Sequence, residues 1–348
     1  MKVLIQRLNN WEHWPFRLLY FPLSFVWLWY CIRSRSLWFF SSSNPTITFG
    51  GFEGEGKREM YEQLPEEWYP PTCYISPEIS FQKLIHQVSD AEIEFPLVVK
   101  PDVGMKGLLF RKINSRQELR EYHEAIQVDY LVQEMIDLPV EVSVFYYRFP
   151  SQKEGVITGF IQKEYLEVTG DGKSSLARLI ETNKRAKSRI DELKKRNQAF
   201  LDLIIPEGEP FILSYAGNHN RGARFIDLEH EIDEELHQVF DKISLQTRHF
   251  YYGRYDIKCE SIDDLKKGKN FYILEFNGCG AEPNHIYDCN MTLMEAYREI
   301  LFHWKVLYRI SRYNHKNGAP YWSFFKGWRF WWQSRRHFRW MEQLDPEF

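Results

Sequence analysis

The 348-residue sequence is poor in anything that cysteine chemistry requires: its five cysteines (31, 73, 259, 279 and 289) are odd in number and share no CxxC spacing. A disulfide framework or a cysteine-based zinc site is therefore disfavoured, and a reducing compartment is the default. Long apolar runs are also missing. The best, Leu18–Ile32 (LLYFPLSFVWLWYCI), has 15 residues and as a helix reaches only about 22 Å, against a hydrocarbon core of about 30 Å. Arg17 and Arg33 bracket it, Pro22 interrupts it, and no small-residue cleavage site follows. This excludes a spanning helix and fits a signal peptide poorly. An interfacial or re-entrant segment and a buried aromatic helix both remain open. Tryptophan is nearly absent from the middle, where Trp68 stands alone between Trp38 and Trp304. Acids are absent from Ile300 to Met341.

What is present is distributed in the same way. Residues 1–52 carry a net +4, residues 300–348 a net +6, and residues 53–299 a net −13, so the formal −3 hides basic ends on an acidic middle. An acidic middle repels phosphate backbones and argues against nucleic acid as the main partner. Basic, tryptophan-rich ends fit an anionic membrane surface. In 322–340 the rings and cations alternate too densely for one clean helical face, so an irregular segment is expected there.

Organisation follows from periodicity and punctuation. The aromatic segment 1–44 ends at Ser41-Ser42-Ser43-Asn44-Pro45, and a short mixed region, 45–94, precedes a strand-and-helix pattern over 95–300. Residues 301–348 form an aromatic, basic extension. Strands are expected at 95–100, 131–134, 140–147, 156–163, 211–215, 223–227, 255–258 and 271–277. Helices are expected from Ser115 to about Gln127, over 175–203, over 231–250 and over 292–312, with Ser115 and Glu118 as a capping box. The elements interleave without the spacing of a doubly wound sheet, so the class is α+β.

Two tempting motifs fail. Gly172-Lys173-Ser174 lacks the first glycine of a phosphate loop, since Glu167 stands there, and LEHEIDEELH has Glu234 where a zinc helix needs its second histidine. The stronger signal is a pair of strands. Alternation puts Arg254, Asp256 and Lys258 on one face of the first. It puts Ile273, Glu275 and Asn277 on one face of the second, with Tyr272, Leu274 and Phe276 opposite. Carboxylates set into an apolar strand are costly unless they hold something charged, and an oxygen-only set suits Mg²⁺. An exposed polar edge is the alternative, and the apolar neighbours count against it. Lys100 ends another apolar strand before the glycine-bearing turn 101–107, an arrangement suited to a phosphate.

These motifs together resemble an ATP-grasp ligase, similar to the D-alanine–D-alanine ligase, glutathione synthetase and cyanophycin synthetase branches, from about Phe95 to Asp288. FPLVVKP resembles the family's strand with the phosphate-contacting lysine, implying Lys100, with Gly104 and Gly107 in the covering loop and Lys163 as a further nucleotide contact. VQEMIDLPVEVSVF resembles the adenine hinge, implying Glu134, Met135 and Ile136 beside the base and Glu141 on the ribose. GRYDIK and ILEFNGCGAEPNH imply Asp256, Glu275 and Asn277 as ligands of Mg²⁺ (or Mn²⁺), with Arg254 on the phosphate or acyl group. VTGDGKSSLARLIE and GNHNRGARF resemble segments of the cyanophycin and bifunctional glutathione enzymes. They imply Arg221 as a catalytic residue and Asn218 and Gly222 near the reacting groups, with Gly278 and His285 as further substrate-side positions.

The family carries a full substrate domain before its lysine strand, whereas only 45–94 stands there in this chain. EGKREMYEQLP resembles a remnant of that lobe, and Lys57 either reaches the site or is solvated. The resemblance implies ATP-dependent joining of a carboxylate and an amine through an acylphosphate, with no protein nucleophile; Cys279 reads better as a space-filler. The substrates are not legible, although the ends point to a membrane-linked one and to a cytoplasmic protein on the inner face of the cell membrane. A kinase-like phosphotransferase and a membrane protein with a degenerate nucleotide site are the alternatives.

Overall fold

A computed structural model describes residues 11–105, 107–186, 189–214, 217 and 222–345. Asn218 and Arg221 lie outside the described residues. The strands are β1 (Thr72–Ile75), β2 (Leu97–Pro101), β3 (Arg111–Ile113), β4 (Tyr130–Glu134), β5 (Val140–Tyr147), β6 (Val156–Glu164), β7 (Leu166–Thr169), β8 (Pro210–Ser214), β9 (Arg224–Asp227), β10 (Tyr252–Cys259) and β11 (Phe271–Asn277). They form sheets in the orders β1-β4-β2-β3, β11-β10-β5-β6-β9 and β7-β8. The pairs β1–β4, β2–β3, β2–β4, β5–β10, β10–β11 and β7–β8 are antiparallel, which with the intervening helices makes the fold α+β.

The chain divides into two units, the first made of Met1–Pro71, Ile136–Ile161 and Asp227–Arg335. Its core joins both aromatic ends to the sheet. Phe39, Phe40 and Phe49 pack with Phe145 of β5, Tyr252 of β10 and Val306, Leu307 and Ile310 of the helix Leu293–Lys316. Trp11, Leu19 and Leu23 pack with Ile286, Ala296 and Ile300. Tyr30 stacks on Tyr308 at 4.6 Å, and Trp27 meets Trp304 edge-on at 5.0 Å. Pro22 divides the apolar run as its chemistry requires, leaving helices Phe16–Tyr20 and Ser24–Ser34. Among the described residues no helix is long and apolar enough to cross a membrane.

The second unit comprises Thr72–Met135, Gln162–Ile226 and Arg336–Phe348. Leu97 and Val99 of β2, Val132 of β4, Leu84 and Leu119 build its main core, which Phe338 and Met341 complete. A smaller core lies between β7–β8 and the helices Leu176–Thr182 and Ile190–Arg196.

Three expectations are corrected. The single helix expected over 175–203 is broken at Asn183, whose backbone is extended and whose Oδ1 accepts from the amides of Arg185 and Ala186 at 2.8 and 3.2 Å. Such a side-chain turn competes with the helix ladder. The segment expected to be irregular is one helix, Phe324–Leu344. At about 100° per residue, its exposed Phe324, Phe325, Trp328 and Trp332 fall on one side, and Ser334, Phe338 and Met341 are buried. The box at Ser115 is half made. Ser115 Oγ accepts from the Glu118 amide at 3.2 Å, but Glu118 turns to the Asn114 amide. The complete box is Thr292 with Glu295.

Candidate active site

β10 and β11 carry the charged constellation. Their register sets Arg254 opposite Asn277 and Asp256 opposite Glu275, then shifts so that Ile257 faces Ile273. The shift is a β-bulge at Leu274, and it corrects the expected alternation: Ile273 joins the buried Ile257 on the apolar face, while Glu275 and Asn277 stay with Asp256. The bulge is braced by the helix Lys57–Tyr61. Tyr61 Oη donates to the Leu274 carbonyl at 2.5 Å, and the Phe276 amide meets Met60 Sδ at 2.7 Å.

Asp256 is buried, and its carboxylate is crowded with donors. Oδ1 accepts from Ser143 Oγ of β5 and, at 3.1 Å, from Arg254 Nε. Oδ2 accepts from Arg254 Nη2 and from Asn277 Nδ2, both at 3.2 Å. Arg254 Nη1 reaches the Glu282 carbonyl at 3.4 Å. Burial disfavours the guanidinium charge, but Asp256 first, then Glu275 and Glu282, outweigh it and raise its pKa. Asn277 thus spends its amide nitrogen on Asp256. Glu275 is more open, 38% exposed, and pairs with the mostly buried Lys57 at 3.6 Å. Lys57, whose role was open between solvated and site-directed, points to the site.

Sequence reasoning missed Ser143 and Glu55. A lone serine in VEVSVFYY gave some signal, since its neighbours are apolar. Glu55 lies in the GEGK turn beside Lys57, and its Oε2 is buried without a hydrogen-bond partner. Its pKa is pushed up to about 7, chiefly by burial and to a lesser extent by Glu275 and Glu59, with its own backbone and Lys57 pulling against them.

The turn is placed by glycines that admit a chain crossing. The Cys279 and Gly280 amides donate to the carbonyls of Gly50 and Gly51 at 3.1 and 2.8 Å. A Cβ on Gly278 would lie 2.6 Å from the Gly50 oxygen and 2.8 Å from Gly51 Cα, so close backbone approach accounts for glycine at 278. Asn44 pins the same crossing by bonding the Gly50 and Tyr252 carbonyls and the Tyr251 and Tyr252 amides. Cys279 is buried, and burial holds its thiol far above the ordinary range, which fits a space-filler.

Of the expected hinge, the Ile136 carbonyl accepts from Lys258 Nζ at 3.1 Å, and Lys258 stands opposite Glu141 in the β5–β10 register. His285 faces Glu299 at 3.1 Å.

The second unit holds the remaining expected positions. Lys100 is half-buried on β2 opposite Leu131. Glu134 ends β4 and Met135 follows it, Lys163 is buried on β6, and Gly107 and Gly222 have positive φ of 69° and 88°. Gly104 lies over Pro101 and Met341, and the Val103 carbonyl meets His337 Nε2 at 3.2 Å. Asp345 accepts from the Leu109 amide at 2.7 Å and from Arg111 at 2.6 Å. The end of the chain thus steadies both sides of the turn 101–107. In the GDGKS segment Asp171 accepts from the amides of Lys173 and Ser174, an Asx turn that accounts for the sequence without a phosphate.

No protein-family model matches the sequence, and no curated protein matches it. Among solved structures the chain is similar to a bifunctional glutathione synthetase from Pasteurella multocida, at 17% identity and a TM-score of 0.39 over 71% of this chain and 35% of that one. It is similar to D-alanine–D-alanine ligase from Bacillus anthracis, at 14% identity and a TM-score of 0.44 over 76% of this chain and 69% of that one. It is also similar to VanG D-Ala:D-Ser ligase from Enterococcus faecalis, at 12% identity and a TM-score of 0.42 over 75% and 62%. The chain thus spans about a third of the first and about two-thirds of the others.

Proposed function

We propose that this protein is an ATP-dependent carboxylate–amine ligase that forms an amide bond through an acylphosphate. The observation that carries the reading is the cross-strand set Arg254, Asp256, Glu275 and Asn277, with Lys57 against it, in the middle of otherwise apolar strands. The residues fit Mg²⁺ or Mn²⁺, because every acceptor is an oxygen and Glu275 keeps open surface. Glu275 and the Asn277 carbonyl oxygen would hold the ion, which supplies positive charge to the phosphates of ATP. Asp256 already accepts four hydrogen bonds, so its first task is to fix Arg254.

The reaction then divides among the chain's own groups. A substrate carboxylate oxygen bonds to the γ-phosphorus as the bond to the β-phosphate oxygen breaks and ADP leaves. Lys100 and Lys163 are assigned to the phosphates by the sequence resemblance. Arg254, with N–H groups beyond those on Asp256, stabilises the oxyanion as an amine attacks the carbonyl. The C–N bond forms, the C–O bond to phosphate breaks, and the amine proton passes to Glu55, whose raised pKa suits a base near neutrality.

The amphiphilic ends support a substrate at an anionic membrane surface. On the helix Ser24–Ser34, Phe25, Leu28, Trp29 and Ile32 are exposed opposite the inward-facing Trp27 and Cys31, so the helix is apolar all round. A helix of that kind needs a second apolar neighbour. Phe325, 81% exposed, and Trp328 add rings beside Lys326 and Arg329.

The test is incubation with ATP, Mg²⁺ and panels of carboxylates and amines, including lipid extracts, with hydroxylamine as a trap. Phosphate release that needs both substrates, an amide product by mass and a trapped hydroxamate support the ligase. A stable phosphorylated product formed without an amine means a phosphotransferase instead. Flotation with phosphatidylglycerol vesicles tests the surface, and absence from the vesicle fraction at low salt removes that part alone.

A further inference from the structure

On the same face of the first unit's sheet as Arg254 and Asp256 lies a cluster to which the proposed ligase steps assign no role. His285, in the short 3-10 turn Asn284–Ile286, places Nε2 3.1 Å from Glu299 Oε1. His303, four residues beyond Glu299 on the helix Leu293–Lys316, places its Nε2 3.0 Å from the same oxygen. One ligand atom from each lies within 4.8 Å of the other two.

Four features distinguish this cluster from an ordinary hydrogen-bonded carboxylate. The i, i+4 spacing sets Glu299 and His303 on one helix face, while His285 comes from outside the helix. The walls are dry: both histidines are buried, and Phe145 lies edge-on to His303 at 4.3 Å. His303 Nδ1 is engaged by Tyr252 Oη at 3.2 Å, and a hydrogen bond on the remote ring nitrogen orients an imidazole toward a metal. Finally, the carboxylate has no fixed cation on it. Among the described residues the hydrogen-bond and ion-pair partners of Glu299 are these two imidazoles, with no lysine or arginine among them.

We infer that His285, Glu299 and His303 form a binding site for a divalent transition ion of the zinc class, with a water completing the tetrahedron. Two imidazole nitrogens and one carboxylate oxygen are a known zinc donor set. The ion would clamp the chain after β11, where the Glu282 carbonyl accepts from Arg254, to the longest helix of the fold. Its role is to hold that loop, and the inference stands apart from the proposed ligase activity.

The experiment uses the full chain, stripped with chelator in magnesium-free buffer, then titrated with Zn²⁺ and separately with Co²⁺. Expected are one Zn²⁺ bound per chain, a melting midpoint raised by about 3 °C or more under saturation, and the visible absorption of tetrahedral Co²⁺. His285→Asn and Glu299→Gln should lose all three responses, while Asp256→Asn, which removes no ligand of the cluster, should keep them. Should both cluster variants fail to fold, the wild-type cobalt spectrum decides, because no other described group of three or more His, Cys, Asp or Glu side chains has metal-ligand spacing. Absence of stoichiometric zinc in the wild type overturns the site, as do zinc binding unchanged in the variants and loss of binding in Asp256→Asn alone. In each of those cases the cluster is a hydrogen-bonded fastening only.

Discussion

Asp256 and Glu299 are two carboxylates in one unit, and each gathers nitrogen donors in a different way. Asp256 has a guanidinium with two N–H groups on it, plus a serine hydroxyl and an asparagine amide. Glu299 has two imidazoles. The first is neutralised by a permanent cation; the second has no permanent cation among its described partners. Donor number alone therefore does not tell a structural carboxylate from a ligand, and the fixed charge of the donors does.

The sharpest way to break this comparison is at Glu275, the open carboxylate beside the closed one. Glu275→Gln should fold normally and lose about two orders of magnitude or more of ATP turnover. Turnover within threefold of wild type, measured by ADP release, would remove the ion from this strand pair. Next in size is Asp256→Ala, which strands Arg254 without its partner. Denaturant melts should show a loss of about 3–5 kcal/mol, whereas the double change Arg254→Met, Asp256→Leu should recover most of it. An equal loss in the double variant would mean that shape, and not charge, is what Asp256 supplies.

Much of the first cluster was legible and little of the second. Arg254, Asp256, Glu275 and Asn277 sit at alternating places in short apolar strands, where polar residues stand out. The bulge at Leu274 was not legible, because it depends on Tyr61 and Met60, more than 200 residues away in sequence. It moved Ile273 to the other face without disturbing the acids. His285, Glu299 and His303 are divided between a turn and a helix whose other residues are also mixed, so only the i, i+4 half of the pattern lay in the sequence. Eight strands were close to their expected ranges, whereas β1, β3 and β7, of only three or four residues each, were not expected. The helix over 175–203 was not, since a single asparagine turn outweighs a charged periodicity.

Glu55 gives a pH-dependent test of the same lesson, a buried carboxyl that the nearby Lys57 does not offset. Its folded pKa, about 7, lies above the usual value of 4.5, so the folded state holds this proton longer than the unfolded state does. Its contribution is therefore fully present below about pH 4.5 and is lost as pH rises through about 7. Glu55→Gln should melt like wild type at pH 4 and be more stable at pH 8, by about 3 kcal/mol. Equal melting at both values would show that the carboxyl is hydrated. The smallest effect is expected for Tyr61→Phe, which removes one hydrogen bond to the bulge at a cost of about 1 kcal/mol. If activity falls while stability changes by no more than that, the brace sets the position of Glu275.

The crossing of Gly50–Gly51 with Gly278–Gly280, pinned by Asn44, has a consequence for the order in which the chain is made. Asn44 bonds Tyr252, 208 residues later, an interval that takes roughly 10 to 40 s to synthesise at ordinary ribosomal rates. Until then Phe39, Phe40 and Phe49 lack Tyr252 and the helix Leu293–Lys316 among their packing partners. A nascent chain of this kind carries an aromatic segment whose partners are made much later, so a chaperone or a lipid surface near the exit tunnel is expected to raise its yield.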